Sequence, residues 1–314
     1  MGKRCTSMIE FTVGSLTKRT SLLGALRHNG ISATMRRKIK HNGICKINDI
    51  PATWRDFVVQ GDKVNVDLPI TQFFDPEPMD LDIVYEDDYL LLINKPHGLL
   101  MHPTSGHAEG TLANGIIYYY QQTKQHCAFH PMHRLDRNTS GIVMLAKQPQ
   151  IQYAFSRKHL FYNRFYLAIT SGYFPSSQAT VHFPISRSPE SIVKRIISKD
   201  GKPAWSDFKR IAANTEYSLI LVTLHTGRTH QIRVHCSNLG YPLLGDDLYG
   251  GSKERINRQA LHAYCVQFTH PVTGKIINII SPVPADMQKL IREAGWENMV
   301  KTTLGGITNA ISDN

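Results

Sequence analysis

Two runs of polar residues carry side chains capable of chemistry. The first is His133-Arg134-Leu135-Asp136-Arg137-Asn138-Thr139-Ser140-Gly141, which sets one carboxylate, Asp136, between two guanidinium groups. It passes directly into the apolar stretch Ile142 to Ala146. An ionised acid flanked by cations, on a loop anchored by a buried strand, suits an enzyme that attacks or stabilises part of a polyanion. The second run, Thr226-Gly227-Arg228-Thr229-His230-Gln231-Ile232-Arg233-Val234-His235, follows the apolar strand Tyr217 to Leu224 in the same way. Burial disfavours an ionised carboxylate and a neighbouring guanidinium favours it. A nucleophilic or charge-stabilising Asp136 needs the second effect to win. Arg228 is the candidate partner, because its loop also follows a strand. The competing reading is a structural Asp–Arg pair that braces two loops.

Other side chains fit the same chemistry, each beside a plainer use. Arg134 lies two residues before Asp136, and alternation along an extended loop turns both to one side. A planar cation there could contact phosphate or fill the gap left by an extruded base. An ordinary surface arginine is the commoner case. Tyr166, in Arg164-Phe165-Tyr166-Leu167-Ala168, alternates with Phe165 and Leu167 and could stack on a base or move a proton. A core tyrosine is the alternative. The fifteen histidines include His133, His230 and His235. His230 and His235 lack the i, i+4 spacing of a helical metal pair, so no metal is expected, and loop histidines are expected to touch phosphate or backbone. No glycine-rich phosphate loop follows a strand, so no nucleotide cofactor is indicated.

The elements that hold these residues follow from composition and pattern. At 314 residues, with 41% hydrophobic residues, the chain can build one large domain and a small one. A net charge of +11 and a pI of about 9.4 favour a polyanionic partner, nucleic acid or an anionic membrane surface. Five cysteines with no Cys-x-x-Cys pair read as free thiols in a reducing, cytoplasmic compartment. The N-terminus has no apolar signal region, and no run reaches the roughly 18 apolar residues of a spanning helix. Met1-Gly2 opens a loose myristoylation pattern, for which a basic N-terminal segment is the simpler reading.

Residues 8–70 form one compositional unit. Leu22, Leu23 and Leu26 recur at helical spacing. A second helix, Ile31 to Lys40, is cappable by Ser32 and carries Arg36, Arg37, Lys38 and Lys40. Strands are expected at Ile44 to Ile47 and Lys63 to Leu68. Two short helices, the second basic, followed by small strands suit a compact RNA-binding module. A solvated charged face is the alternative. Residues 71–80, acidic with two prolines, read as a linker. Residues 81–295 mix strands and helices without βαβ alternation, which argues α+β with a mixed, largely antiparallel sheet. Helices are expected at Leu112 to Tyr120, Ile151 to His159 and Arg228 to Leu239. Residues 296–314 read as a C-terminal tail.

The first run closely resembles the signature of the RluA-type pseudouridine synthases. The likeness continues through Asp87 to Pro96, Arg164 to Ala168, Leu224 to Gly250, Ala260-Leu261-His262-Ala263 and His270 to Gly274, and covers roughly residues 81–290. The N-terminal unit is similar, more loosely, to the S-four-type RNA-binding domain, with Asn48-Asp49 where Asn-Gly is common. The resemblance implies isomerisation of uridine to pseudouridine in RNA, without cofactor or metal, by a monomer. Ribosomal RNA is the first expected target and transfer RNA the second. It implies that Asp136 is the essential carboxylate, held ionised by Arg228. Tyr166 would stack on the uracil and assist proton transfer, and Ile232 would line the pocket. Arg134 would occupy the gap left by the flipped nucleotide. His133 and the Arg36, Arg37 and Lys38 cluster are expected to bind RNA. The competing class is a non-catalytic RNA-binding or assembly protein on the same fold. A peripheral membrane protein is a third.

Overall fold

The structure is a computed structural model of the 314-residue chain. It describes residues 6–309 except 16–18, 32, 70–73, 105 and 157–161. The Met1-Gly2 pattern and the Ser32 cap lie outside the described residues.

The N-terminal strands β1 (Thr6–Thr12), β2 (Ile44–Ile47), β3 (Ile50–Ala52) and β4 (Lys63–Pro69) form an antiparallel sheet in the order β1-β4-β2-β3. Helices α1 (Leu22–His28) and α2 (Ala33–Asn42) complete its core, where Leu22, Ala25, Leu26 and Ile39 meet Ile9, Val64 and Val66. The β2–β3 hairpin turns on Asn48 (φ 51°) and Asp49 (φ 64°). Both central residues are left-handed, as a type I′ turn requires, so Asp49 does the work of the commoner glycine. The Asn48 side chain braces the turn by donating to Asp62 Oδ1 at 2.8 Å and accepting from the Lys63 N–H at 2.8 Å.

A second, ten-stranded sheet organises the remainder. It contains β5 (Ile83–Glu86), β6 (Leu90–Lys95), β7 (Ser140–Ala146), β8 (Tyr162–Ser171) and β9 (Gln178–Val181). A separate hairpin follows, β10 (Ile185–Arg187) with β11 (Arg195–Ile197). The sheet resumes with β12 (Ser206–Ala213), β13 (Tyr217–Leu224), β14 (Leu261–Thr269) and β15 (Ile276–Ile280). Its order is β9-β12-β13-β8-β14-β7-β6-β5, with β15 on β14 and the short strand His130–Pro131 on β7. Among the described strand pairs only β7 and β14 run parallel, so the sheet is mixed and largely antiparallel, as expected.

The central strands β7, β13 and β14 are buried almost throughout, as is β8 from Tyr166 to Thr170, so these stretches face packed neighbours on both sides. Helix α3 (Leu112–Gln122) packs Leu112, Ala113, Ile116 and Tyr120 on one face, and α4 (Pro149–Ser156) packs Ile151 and Phe155 on the other. Two further differences from expectation have local causes. Helix α5 is Gln231–Asn238, shorter than Arg228 to Leu239, because His230 has φ 59° and breaks the helical path. After α6 (Ala285–Glu293), the expected tail contains α7 (Glu297–Asn309), whose Leu304 joins Trp296, Tyr217 and Leu290 in a core.

The parallel seam between β7 and β14 anchors the end of the first polar run. Ser140 and Gly141 pair with His262 and Ala263 at the start of each strand. Gly141 has φ 108°, and a Cβ there would stand 2.2 Å from the Ala263 carbonyl oxygen. Gly141→Ala therefore combines a left-handed alanine with an unavoidable backbone clash. The variant is expected to lose about 3 kcal/mol or more in urea unfolding.

Candidate active site

Asp136 sits on the loop entering β7, beside the start of β14, and lines one recess with Leu261 and with Leu224 of β13. The loop is tied down from below. The Thr139 N–H donates to the Asp136 carbonyl at 3.1 Å. Lys95, fully buried at the end of β6, donates from Nζ to the carbonyls of Pro96 (2.7 Å), Leu99 (3.0 Å) and Arg137 (3.1 Å). Burial pushes the Lys95 ammonium down to about 7, against the pull of Asp136. Arg258 holds the far side, donating to the Asn138 carbonyl at 3.2 Å while its fork grips Asp286 at 2.6 and 2.9 Å. Asp136 is thus presented by a loop whose carbonyls are fastened by buried cations.

Arg233, not Arg228, is the partner of Asp136. Arg233 Nη1 donates to Asp136 Oδ2 at 3.0 Å. Its Nε and Nη2 form a bidentate pair with Asp246, both at 2.8 Å. The Asp246 side chain is wholly buried and that of Arg233 is 8% exposed. These carboxylates raise the Arg233 guanidinium well above its usual value, overcoming desolvation. The expected pairing with Arg228 fails on helix geometry. Arg228 precedes α5, is exposed, and donates from Nε to the Pro203 carbonyl at 2.9 Å. Arg233 lies inside α5, where Gln231 to Cys236 are all buried. An arginine in a buried helical stretch signals a pair, and the sequence carries that signal.

Gln231 shapes the loop ahead of α5. Its Oε1 accepts from Thr226 Oγ1 (2.7 Å) and the Arg228 N–H (3.0 Å), and its Nε2 donates to the Trp205 carbonyl (2.9 Å) and Ser206 Oγ (2.8 Å). His230 then takes its left-handed conformation and turns Nε2 to within 3.8 Å of Asp136 Oδ1. Its Nδ1 meets the Tyr249 hydroxyl at 2.9 Å. Burial lowers the His230 imidazole below its ordinary value, although Asp136 pulls the other way.

A recess of about 50 Å³ opens beside the carboxylate, lined by Arg134, Asp136, Tyr166, Arg228, His230 and Ile232 among others. Arg134, Tyr166, Arg228 and Ile232 are thus brought together with Asp136. Tyr166 lies on the Leu91, Val143 and Val222 face of the sheet, opposite Phe165 and Leu167, as alternation requires. A bulge in the β8–β14 register falls between Phe165 and Tyr166, a device that re-aims side chains near sites. Burial raises the Tyr166 phenol above its usual value, Arg164 opposes and Asp136 adds to the rise.

One expectation is not met at this recess. His133 lies under β7, where its Nε2 accepts the Met144 N–H at 3.2 Å. It is buried, and burial pushes its imidazole down to about 3, so it is a neutral core residue rather than an RNA ligand. Its position just before a fully buried strand draws it inward. Arg36, Arg37 and Lys38 lie on α2 of the N-terminal unit, where they are expected to contact RNA, away from the recess. Arg36 donates to the Ile31 carbonyl at 3.0 Å, and Arg37 and Lys38 are exposed.

The family model for RNA pseudouridylate synthase matches residues 89–238, which include both polar runs. The RNA pseudouridine synthase YjbO of Bacillus subtilis, itself described as uncharacterized, is 40% identical over 269 residues, covering 84% of this chain and 95% of its own. The chain belongs to the RluA-type RNA pseudouridine synthases. Ribosomal large subunit pseudouridine synthase D of Neisseria meningitidis is 36% identical over 278 residues, covering 82% of this chain and 74% of its own. Among solved structures, human RNA Pseudouridylate Synthase Domain Containing 1 superposes with a TM-score of 0.53 at 26% identity, covering 69% of this chain and 96% of that one.

Two measurements check the electrostatics of this pseudouridine synthase. Arg233→Met leaves Asp136 and the buried Asp246 without their cation and is expected to lose about 3–5 kcal/mol in chemical unfolding. Arg228→Met, at an exposed position, is expected to shift stability by less than about 0.5 kcal/mol. The second concerns His133 and His262, whose folded values of about 3 and about 4 lie below the unfolded value because both are desolvated. A depressed folded value means the unfolded chain binds more protons below about pH 6.5, so stability falls as pH drops from there toward 4. Each histidine is expected to contribute a slope of about 1.4 kcal/mol per pH unit in that window. His133→Gln should flatten the acid limb of the stability curve; an unchanged limb would show that His133 is not buried neutral.

Proposed function

We propose that this synthase isomerises uridines in ribosomal RNA, with Asp136 as the essential carboxylate. The observation that carries the reading is the Asp136–Arg233–Asp246 relay beside a recess that also holds Tyr166. The reaction is a rearrangement: the C1′–N1 bond breaks, C1′ joins C5, the C5 proton leaves and N1 gains one. It is balanced in atoms and electrons. Its demands are a carboxylate at the sugar or base, a group that moves the C5 proton, and exclusion of water.

Four features of the site support this reading. Arg233 holds Asp136 Oδ2 with a charged donor and orients the carboxylate at the recess. Tyr166 is protonated and rigid on its strand, able to stack on a base and to take part in proton transfer. Ile232 and Leu224 supply apolar walls. A recess of about 50 Å³ holds only a few waters. A uracil therefore enters as exposed rim side chains, Arg134 foremost, swing outward. Flipping costs a few kcal/mol, which phosphate contacts by a basic surface can offset. Arg134 then fills the gap in the stack. Arg228, exposed at the rim, contacts the RNA rather than the carboxylate. The N-terminal unit, spanning residues 8–70, adds RNA affinity through Arg37, Lys38 and their neighbours. Ribosomal RNA is favoured because a relative bears that name; transfer RNA is the second candidate.

Asp136→Ala is expected to abolish pseudouridine formation in large-subunit ribosomal RNA while RNA affinity changes less than about threefold. Residual turnover near the wild-type rate would instead favour a binding protein on this fold. Tyr166→Phe keeps the ring and removes the hydroxyl. Its kcat is expected to fall by roughly 10²-fold or more with KM little changed; equal kcat would confine Tyr166 to stacking.

A further inference from the structure

Beside the recess lies a groove of about 500 Å³. One wall is the β10–β11 hairpin with Asp200, Gly201 and Lys202; the other is the loop Gly227-Arg228-Thr229. Four cations line it, Arg187, Arg195, Lys202 and Arg228, against a single carboxylate, Asp200. None of the four is ion-paired with a carboxylate among the described residues. The contrast with the rest of the chain is sharp: Arg233, Arg258 and Lys147 each have an acid at 3.0 Å or closer. Unneutralised cations crowded around one space repel, and an anionic occupant relieves the repulsion.

The groove is built and joined to the reacting site. Ile185 and Lys202 exchange both backbone hydrogen bonds, at 2.9 Å each, which fixes the hairpin against the following loop. The Arg195 N–H donates to the Tyr249 hydroxyl at 2.9 Å, the same hydroxyl that meets His230 beside Asp136. Arg195 also uses Nη1 on carbonyls of its own turn, which fixes the guanidinium without neutralising it. Arg228 lines both the groove and the recess, so the two are contiguous.

We propose that this groove holds the phosphodiester backbone of the RNA strand adjoining the flipped uridine, with Arg187 and Lys202 as phosphate ligands and Arg228 at the step from groove to recess. The proposal rests on the reading of Asp136 as the reacting carboxylate and adds the path of the substrate strand. A sequence-independent phosphate track explains how a small recess obtains the affinity needed to unstack a base.

The test uses the full chain carrying Arg187→Ala and Lys202→Ala together, with Lys275→Ala and Lys301→Ala together as an equal charge reduction at other exposed positions. Binding of a uridine oligonucleotide is titrated against salt, and pseudouridine formation is followed on transcribed large-subunit ribosomal RNA. The groove pair is expected to reduce the slope of log affinity against log salt by roughly 1.4, about 0.7 for each single-strand phosphate left without its cation. It is expected to raise KM several-fold with only a small fall in kcat. The control pair should leave the slope within error of wild type. An unchanged slope in the groove pair, or an equal fall in both pairs, overturns the proposal. Asp136→Ala run alongside separates this failure from failure of the catalytic reading, because it abolishes turnover while keeping the wild-type salt slope.

Discussion

One guanidinium organises the site. Arg233 spends two donors on Asp246, deep in the protein, and its remaining nitrogen on Asp136, at the recess. The buried pair costs desolvation and is sustained only because both Asp246 oxygens are matched in a planar fork. Once Asp246 has fixed the plane, Arg233 cannot rotate away from Asp136. The direction of the Asp136 carboxylate is therefore set by a residue, Asp246, that does not line the recess. Lysine could not do the same, since a single ammonium lacks the fork that grips one acid while reaching a second.

The surrounding structure serves that geometry. The parallel seam of β7 and β14 brings the Asp136 loop against the segment that carries Arg258 and Gln259. Lys95 and Arg258 then hold the loop by its carbonyls, so the loop backbone is rigid without help from its own exposed side chains. Gln231 gathers the opposite loop, and His230 absorbs the strain of the turn into α5 in a left-handed conformation. Such strain at a non-glycine residue is commonly found where a side chain is aimed for a purpose.

Much of this is legible in the chain. The strands Ile44–Ile47 and Tyr217–Leu224 fall where alternation and apolar runs put them, and the dense polar ends of β13 and the loop before β7 do meet at one recess. Asp136, Tyr166 and Arg134 can be read because their patterns are local; Ile232 follows from the family resemblance. Proximity to a strand end favours Arg228 over Arg233 and starts the helix three residues early; burial, the opposing signal, is the one that decides. His133 shares its motif with Asp136 but faces the other way, into the core under β7. Asp246 and Tyr249 act through contacts across the fold that no local period reveals. The groove belongs to the same class: its four cations are scattered from Arg187 to Arg228 and converge only once the hairpin folds back.

Arg233, and not Arg228, pairs with Asp136, and the proposed chemistry depends on that pair. Single-turnover pseudouridine formation at saturating RNA, compared between Arg233→Met and Arg228→Met, is the decisive comparison. The expected result is at least about a hundredfold slower reaction for the first, as for removal of a preorganised charge contact, and a rate within a few-fold of wild type for the second. A near-normal rate with Arg233→Met beside a severe defect with Arg228→Met would reverse the assignment.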